Sequence, residues 1–433
     1  MLGFSLAVFG VFFALLAANM GVAIAFFLTG MGVLYVIGGW DNMLLSTGWI
    51  VWLSSNSFTL TCVPLYIFMG LLLKESGVGS RMYLALEPLF DRLPGGLLYT
   101  NIIAGAIFGA CSGSSVAAAA TIGSIAFPEM DKRGYDPAIS AGTIGAASLL
   151  DTLIPPSLLL IFYGSVTEKS IGQLFIAGII PGLIMAAMFI VYITLRYRFY
   201  EQQWKRPKIV PWKTAIVKSM DVWPVFALIL LVLGSIFVGI ATPSEAAAVG
   251  GFGGILLALL YRGFNWQVLK KATVDTMVLT STLMFIFVGV TVFSNALGRA
   301  GVITYMSRAL IDLPVPPLVT LLLVYFIFLI MGIALEGIPM ILMIVPVVGP
   351  ALEALGYDLI WFSIPMVLLC HIAGISPPCG ITLYALQSLR PNRPITEIYR
   401  GLLPFGVIIF ILLGLMTAFP RVVLFLPELM MGK

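Results

Sequence analysis

The chain has 433 residues, 60% of them hydrophobic and 10% charged, with a formal net charge of +4. A soluble domain carries about 25% charged residues, so a water-soluble fold is excluded and the sequence reads as an all-α polytopic membrane protein. A single histidine excludes a histidine-rich metal site, and the small positive charge is what Lys- and Arg-bearing cytoplasmic loops give, with no implication of nucleic acid.

A helical span needs about 20 apolar residues. In chain order the candidate spans are 2–18, 20–38 and 47–73, then a broken apolar stretch at 95–130, then 137–163 and 171–195. The second half offers 222–240, 241–262 and 272–297, a second broken stretch at 315–352, then 359–389 and 399–420. Each broken stretch fits either two short spans or one re-entrant hairpin. Residues 1–40 lack a basic start and a small-residue cleavage site, so no cleavable signal peptide is expected. Cys62, Cys111, Cys370 and Cys379 all lie in apolar segments and read as small packing residues.

The charges choose sides. The segment from Arg196 to Lys218 holds seven Lys and Arg and one acid, so the positive-inside rule makes it cytoplasmic. Working outward, 131–133, 261–271 and 390–393 also fall inside and 164–170 falls outside. This requires both broken stretches to enter and leave on one side, which favours the hairpin reading and puts both termini outside. Trp40, Trp52, Trp204, Trp212, Trp223, Trp266 and Trp361 lie near the expected interfaces, as ordinary anchors in the lipid bilayer.

The two halves resemble each other. "GYD" at 134–136 recurs at 356–358, an offset of 222 residues (356 − 134), and Pro128 and the pair Pro155–Pro156 recur at the same offset. With about five spans and one hairpin per unit, the second copy is expected upside down. Inverted-topology repeats place a transport site at the repeat interface near the midplane.

Each half carries two breaks. The first is a hairpin tip: Ser112, Gly113, Ser114 and Ser115 in one half, Ala334 to Pro339 in the other. The second is a proline-split span, Leu149 to Ser157 and His371 to Gly380. Adjacent prolines remove two backbone donors and push the preceding residue toward extended geometry. In hydrocarbon an unpaired group costs several kcal/mol, so broken backbone survives only inside protein or beside water. Freed carbonyls and serine hydroxyls suit a small cation such as Na⁺, and helix N-termini suit an anion. A serine-glycine break also fits a close-packing face and a Pro-Pro pair a plain kink; four breaks at repeat-related positions favour a transport site.

Asp151, Glu245, Glu336 and His371 are the ionisable residues deep in apolar segments, where such groups are costly. Asp151 and His371 each lie beside a proline break, and Glu336 sits at the second tip. For His371 the competing reading is a packing histidine. Glu245 follows "ATPS" and reads as a helix-start acid capped by Thr242 or Ser244.

The run "SGSSVAAAATIGSIAFPEMDKRGYDPAISAGTIGAAS", with "LIPPSLLLIFYG", "GIATPSEAAAVG" and "GISPPCGITLY", resembles the large membrane (M) subunit of TRAP (tripartite ATP-independent periplasmic) transporters. The resemblance implies a bacterial inner-membrane permease of the ion-transporter superfamily. It implies pairing with a small four-helix membrane (Q) subunit and with a periplasmic substrate-binding (P) protein. It also implies uptake of small carboxylates, sulfonates or zwitterions coupled to Na⁺, with an elevator-like transport domain moving against a scaffold.

On that resemblance, scaffold helices occupy 1–94 and 222–313. Transport-domain hairpins and broken helices occupy 95–170 and 314–395, a span and basic linker 171–218, and a C-terminal span and tail 396–433. The positions carried over for Na⁺ are Ser112, Ser114, Ser115, Gly142, Gly145, Pro155 and Pro156, with Gly337, Gly374, Ser376, Pro377 and Pro378 in the second half. Substrate contact is expected at Ser115, Asp151, Pro156, Ser157, Glu336, His371 and Pro378. Asp151, Ser376, His371 and Cys379 depart from the family pattern and bear on the substrate class. The serine-rich first tip is the expected Na⁺ element, and the second tip, with Glu336, the gate or substrate contact.

Two other readings compete. A standalone dicarboxylate symporter of the same superfamily would need no binding protein, but paired "SNT" tips are missing. A membrane enzyme would need its nucleophile and base together; the candidate serines and the one histidine lie in different halves, and no "HExxH" occurs.

Overall fold

The computed structural model describes residues 1–199, 210–377 and 380–431, with Ser112 and Phe199 by backbone alone. Trp204, Pro378, Cys379, the middle of the basic linker and the Ser112 hydroxyl lie outside the described residues.

The first helices are α1 (Leu2–Ala17), α2 (Val22–Ser55) and α3 (Cys62–Glu75). Where a loop between two spans was expected, two helical arms of α2 meet directly at a kink: Gly39 takes φ 75° and ψ −171°, outside the helical region, one residue past the expected end of the span 20–38. The expected span 47–73 is therefore divided between the second arm of α2 and α3, with a 3₁₀ turn (Phe58–Thr61) between them. Next come α4 (Val78–Phe90), α5 (Gly96–Ser112), α6 (Ser115–Lys132), α7 (Pro137–Leu153), α8 (Leu158–Thr167) and α9 (Ile171–Phe199). Beyond the linker lie α10 (Trp212–Ser219), α11 (Trp223–Phe237), α12 (Pro243–Leu260), α13 (Trp266–Arg299) and α14 (Val302–Ile311). The chain ends with α15 (Pro317–Met331), α16 (Gly337–Ala354), α17 (Leu359–Ile375), α18 (Ile381–Leu389), α19 (Ile395–Ala418) and α20 (Pro420–Met430). Among the described residues nine helical segments are long and apolar enough to cross a membrane, so this is a multi-pass membrane protein. The short helices α4, α10, α14 and α20 were not among the expected spans; each carries charge and is too short to cross.

The "GYD" motif has a local explanation. Gly134 and Gly356 take φ 75° and 87°, the left-handed geometry that ends α6 and α16. Two residues on, Asp136 accepts from the Ala138 N–H (2.9 Å), and Asp358 accepts from Ile360 (2.6 Å) and Trp361 (3.2 Å), capping α7 and α17. The motif stops one helix and starts the next. The repeat extends to whole elements: α6 shifted by 222 gives the bounds of α16, and α7 gives those of α17. The packing is reciprocal. α6 lies against α18 while α16 lies against α8, and α7 lies against α19 while α17 lies against α9.

A second group of helices packs beside these. α13 runs along α2 and α3, and α12 packs on α3 and α11. Glycine lets the backbones meet there: a Cβ at Gly30 would lie 2.8 Å from the Phe293 nitrogen. Glu245 forms a capping box with Thr242 at the start of α12, as expected.

Ion pairs gather several charged segments that were expected on one side. Arg133 binds Glu87, Asp91 (2.6 Å) and Glu129 (3.0 Å), which brings the entry of α5 and the exit of α6 to one end. The first broken stretch is therefore a hairpin. Arg390 pairs with Asp131, and Arg92 donates to the Val210 carbonyl (2.5 Å), so 131–133 and 390 share that end with the basic linker. Lys169 pairs with Glu353 (2.8 Å) in a cluster separate from these. Trp361 corrects the anchor reading. It is buried and donates to the Met416 carbonyl (2.9 Å), because α17 runs through the protein interior.

Candidate functional site

The first tip is a sharp reversal. Gly113 ends α5 at φ 62°, and Ser114 follows extended (φ −136°, ψ 108°) as the residue before α6. The Ser114 side chain makes no capping bond and no hydrogen bond among the described residues. A Cβ at Gly113 would lie 3.2 Å from the Pro156 carbonyl oxygen, so the tip rests on the first proline break. The second tip joins α15 to α16 through Glu336, whose side chain likewise caps nothing. A Cβ at Gly337 would meet Leu159 at 3.1 Å and Cys370 at 3.5 Å, so this tip rests on α8 and α17.

The first proline break largely satisfies itself. Pro156 cannot donate to the Thr152 carbonyl; the Ser157 hydroxyl donates to it instead (2.6 Å). In the second break the Ser376 hydroxyl donates to the Ile372 carbonyl (2.6 Å). The two broken spans are joined side to side by a hydrogen bond between Thr152 Oγ1 and His371 Nε2. Thr152 Oγ1 also lies 3.2 Å from the Leu149 carbonyl, so its one proton serves either partner and the His371 tautomer follows that choice. His371 is 3% exposed, and its Nδ1 is buried without a partner among the described residues.

A cavity of about 380 Å³ opens where these pieces meet. Of the expected site residues, Ser114, Ser115, Glu336, Gly337, His371 and Gly374 line it. Asp151, Gly142, Gly145, Pro155, Pro156, Ser157, Ser376 and Pro377 do not. Asp151 is fully buried where α7 crosses α5, its Cα 2.5 Å from a Cβ built on Gly109. A Cβ at Gly142 would overlap the Gly401 carbonyl, and one at Gly145 would press on Leu386 at 3.1 Å. These residues hold helices in close contact. Pro155 and Pro156 shape the wall behind the first tip, and Ser157 is consumed by the break itself.

Lys74, Thr152 and Cys370 also line the cavity, and the sequence reading missed them. Lys74 had a signal: it is a cation at the end of an apolar helix. The lining continues along α6 through Val116, Ala117 and Ala120, and along α13 through Leu283 and Leu279 toward Lys271. Lys271 pairs with Glu75 (2.7 Å) beside Lys74.

The family "Tripartite ATP-independent periplasmic transporter, DctM component" matches residues 9–422. The chain is 31% identical to the sialic acid TRAP transporter large permease protein SiaM of Vibrio cholerae, over 87% of this chain and 88% of that one. It is 32% identical to the C4-dicarboxylate TRAP transporter large permease protein DctM of Pseudomonas aeruginosa, over 87% of each. Its fold is similar to the Alcanivorax borkumensis YdaH transporter, with a TM-score of 0.64 at 15% identity and 88% of each chain covered. The hairpin tips, the split spans and the match along nearly the whole length agree: the chain belongs to the large permease family of TRAP transporters.

Proposed function

We propose that the chain is the Na⁺-coupled uptake permease for a small organic acid in a bacterial inner membrane. The acid is handed over by a periplasmic substrate-binding protein, and a small four-helix subunit braces the scaffold. The observation that carries this reading is the convergence of both hairpin tips and both split spans on one cavity. The Ser114 and Ser115 hydroxyls are the oxygen ligands offered to Na⁺, which is a transported ion and not a resident cofactor.

The reciprocal packing of the two halves supports inverted repeats. The helices that carry the tips slide as a unit along α2, α3 and α13, in an elevator motion. The cavity lining that leads toward the basic end supports an inward-facing arrangement. Coupling follows if Na⁺ binds the substrate-competent tip better than the empty one. The test is reconstitution of permease, small subunit and binding protein in proteoliposomes, with each component and the Na⁺ gradient omitted in turn. Uptake that survives without binding protein supports the standalone symporter instead, and uptake indifferent to Na⁺ refutes the coupling.

A further inference from the structure

A second pocket, of about 610 Å³, lies away from the transport cavity. It sits between α4, the 3₁₀ turn Met220–Val222 that leads into α11, and the end of α12. α4 is too short to span, and it packs on α10 and on that turn. Arg92, just past α4, donates to the Val210 carbonyl (2.5 Å) and lies 4.7 Å from the centre of the Trp212 ring, so the pocket is at the end that carries the basic linker. It is also at the edge of the apolar band, where the span α11 starts at Trp223 and the span α12 ends at Leu260.

The pocket is charged. Arg81 of α4, Lys218 of α10 and Asp221 line it. Neither cation makes an ion pair among the described residues, with Asp221 or with any other acid. Arg81 is held without being neutralised. Its guanidinium lies 5.9 Å from the centre of the Tyr261 ring, and the Tyr261 hydroxyl donates to the Asp221 carbonyl, which fixes that ring. A guanidinium over a ring face keeps its in-plane N–H donors for an anion.

The rim is apolar and faces outward. Leu84, Met220 and Leu260 line the same pocket and are 54%, 66% and 63% exposed. From Met220 a hollow of about 310 Å³ continues past Trp223 and Phe226 on the outer face of α11. A soluble anion has no use for such a surface, whereas acyl chains do. Exposed Trp212 and Trp223 stand at the headgroup level, where tryptophan gathers.

We infer that this pocket binds an anionic phospholipid of the leaflet at the basic end. The phosphodiester sits between Arg81 and Lys218, and an acyl chain runs along Met220, Trp223 and Phe226. Two cations against one acid leave a surplus of one positive charge, which matches one phosphodiester and no headgroup ammonium. Asp221 accepts from a headgroup hydroxyl. Phosphatidylglycerol meets each of these requirements. Because Arg81 and Lys218 lie on different helices, the bound lipid ties α4 to α10 and stabilises the fold. The inference does not depend on the transport reading.

The test titrates the purified permease, stripped of lipid in detergent, with dioleoylphosphatidylglycerol, dioleoylphosphatidylethanolamine and inorganic phosphate while the unfolding midpoint is followed. Phosphatidylglycerol is expected to act at about fivefold lower concentration than phosphatidylethanolamine, and inorganic phosphate to give no shift. Arg81→Gln and Lys218→Gln should each weaken phosphatidylglycerol about fivefold, the effect of one cation near the membrane surface. Lys213→Gln, an exposed lysine of α10 outside the pocket, should leave it unchanged. Equal action of phosphatidylethanolamine overturns the inference, as does a shift by inorganic phosphate matching that by the lipid, which makes this a soluble-anion site. No response to phosphatidylglycerol, or one that survives Arg81→Gln and Lys218→Gln together, also overturns it. Should those variants fail to fold, a photoactivatable phosphatidylglycerol decides on the wild-type chain: crosslinks within 220–226 support the site, and crosslinks only elsewhere overturn it.

Discussion

Gly113 meets two constraints together. Its φ of 62° is left-handed, and a Cβ would lie 3.2 Å from the Pro156 carbonyl oxygen. Gly113→Ala is expected to cost about 1–2 kcal/mol from the backbone alone, read as a lower unfolding midpoint, and to slow uptake because the tip no longer seats. Ser157→Ala exposes the opposite case. It removes a buried bond to the Thr152 carbonyl (2.6 Å) and should cost about 1–3 kcal/mol, while the Na⁺ activation of uptake stays at the wild-type level. A changed Na⁺ response in Ser157→Ala would assign that serine to the ion site, where it was not expected. At this scale the sequence was half legible. Ser114, Ser115, Glu336 and His371 stand out because polar groups in apolar runs need a reason. Gly142, Gly145 and Asp151 stand out as well, yet Gly142 meets the Gly401 backbone, Gly145 the Leu402 and Leu386 side chains, and the Asp151 backbone packs on Gly109. Which way a small or polar residue faces depends on helix rotation, which spacing alone does not determine.

Between elements, the ends of the tip-bearing helices are fastened by ion pairs of unequal worth. Arg133 is 11% exposed and holds Glu87, Asp91 and Glu129, tying α4 to the end of α6. Arg133→Gln leaves three carboxylates crowded together and should cost about 3–5 kcal/mol, the penalty for breaking a buried pair. Lys169 and Glu353 are 35% and 48% exposed, so Lys169→Gln should cost at most about 1 kcal/mol. Unfolding midpoints of the two variants check the contrast; equal shifts would contradict it. The hairpins and split spans were readable because glycine, serine and proline leave few alternatives. The second arm of α2, which starts directly after the non-helical Gly39, was not, since glycine permits an abrupt kink as readily as a loop. The short charged helices escaped because they lie outside any span-length pattern.

Across the whole molecule, the 222-residue offset in the sequence reappears as reciprocal packing of the two halves around one cavity. Because that cavity leads along α6 toward the basic end, a cysteine placed at Ala117 should react with a membrane-impermeant thiol reagent applied from the cytoplasmic face. Reaction only from the periplasmic face would reverse the assigned sidedness. The repeat was legible because the same stop-and-start chemistry, glycine then aspartate, serves both the α6–α7 and the α16–α17 junctions. The place of Lys74 in the cavity was not, since a lysine at the end of an apolar helix does not show which neighbouring helix it faces. The most direct measurement is Na⁺-gradient-driven uptake by the reconstituted complex carrying Ser114→Ala and Ser115→Ala together, using the acid that the binding protein holds. The account expects Na⁺ activation to fall about tenfold or more relative to wild type, equivalent to about 1.4 kcal/mol of lost ion binding. Undiminished Na⁺ activation in a well-folded double variant would contradict it.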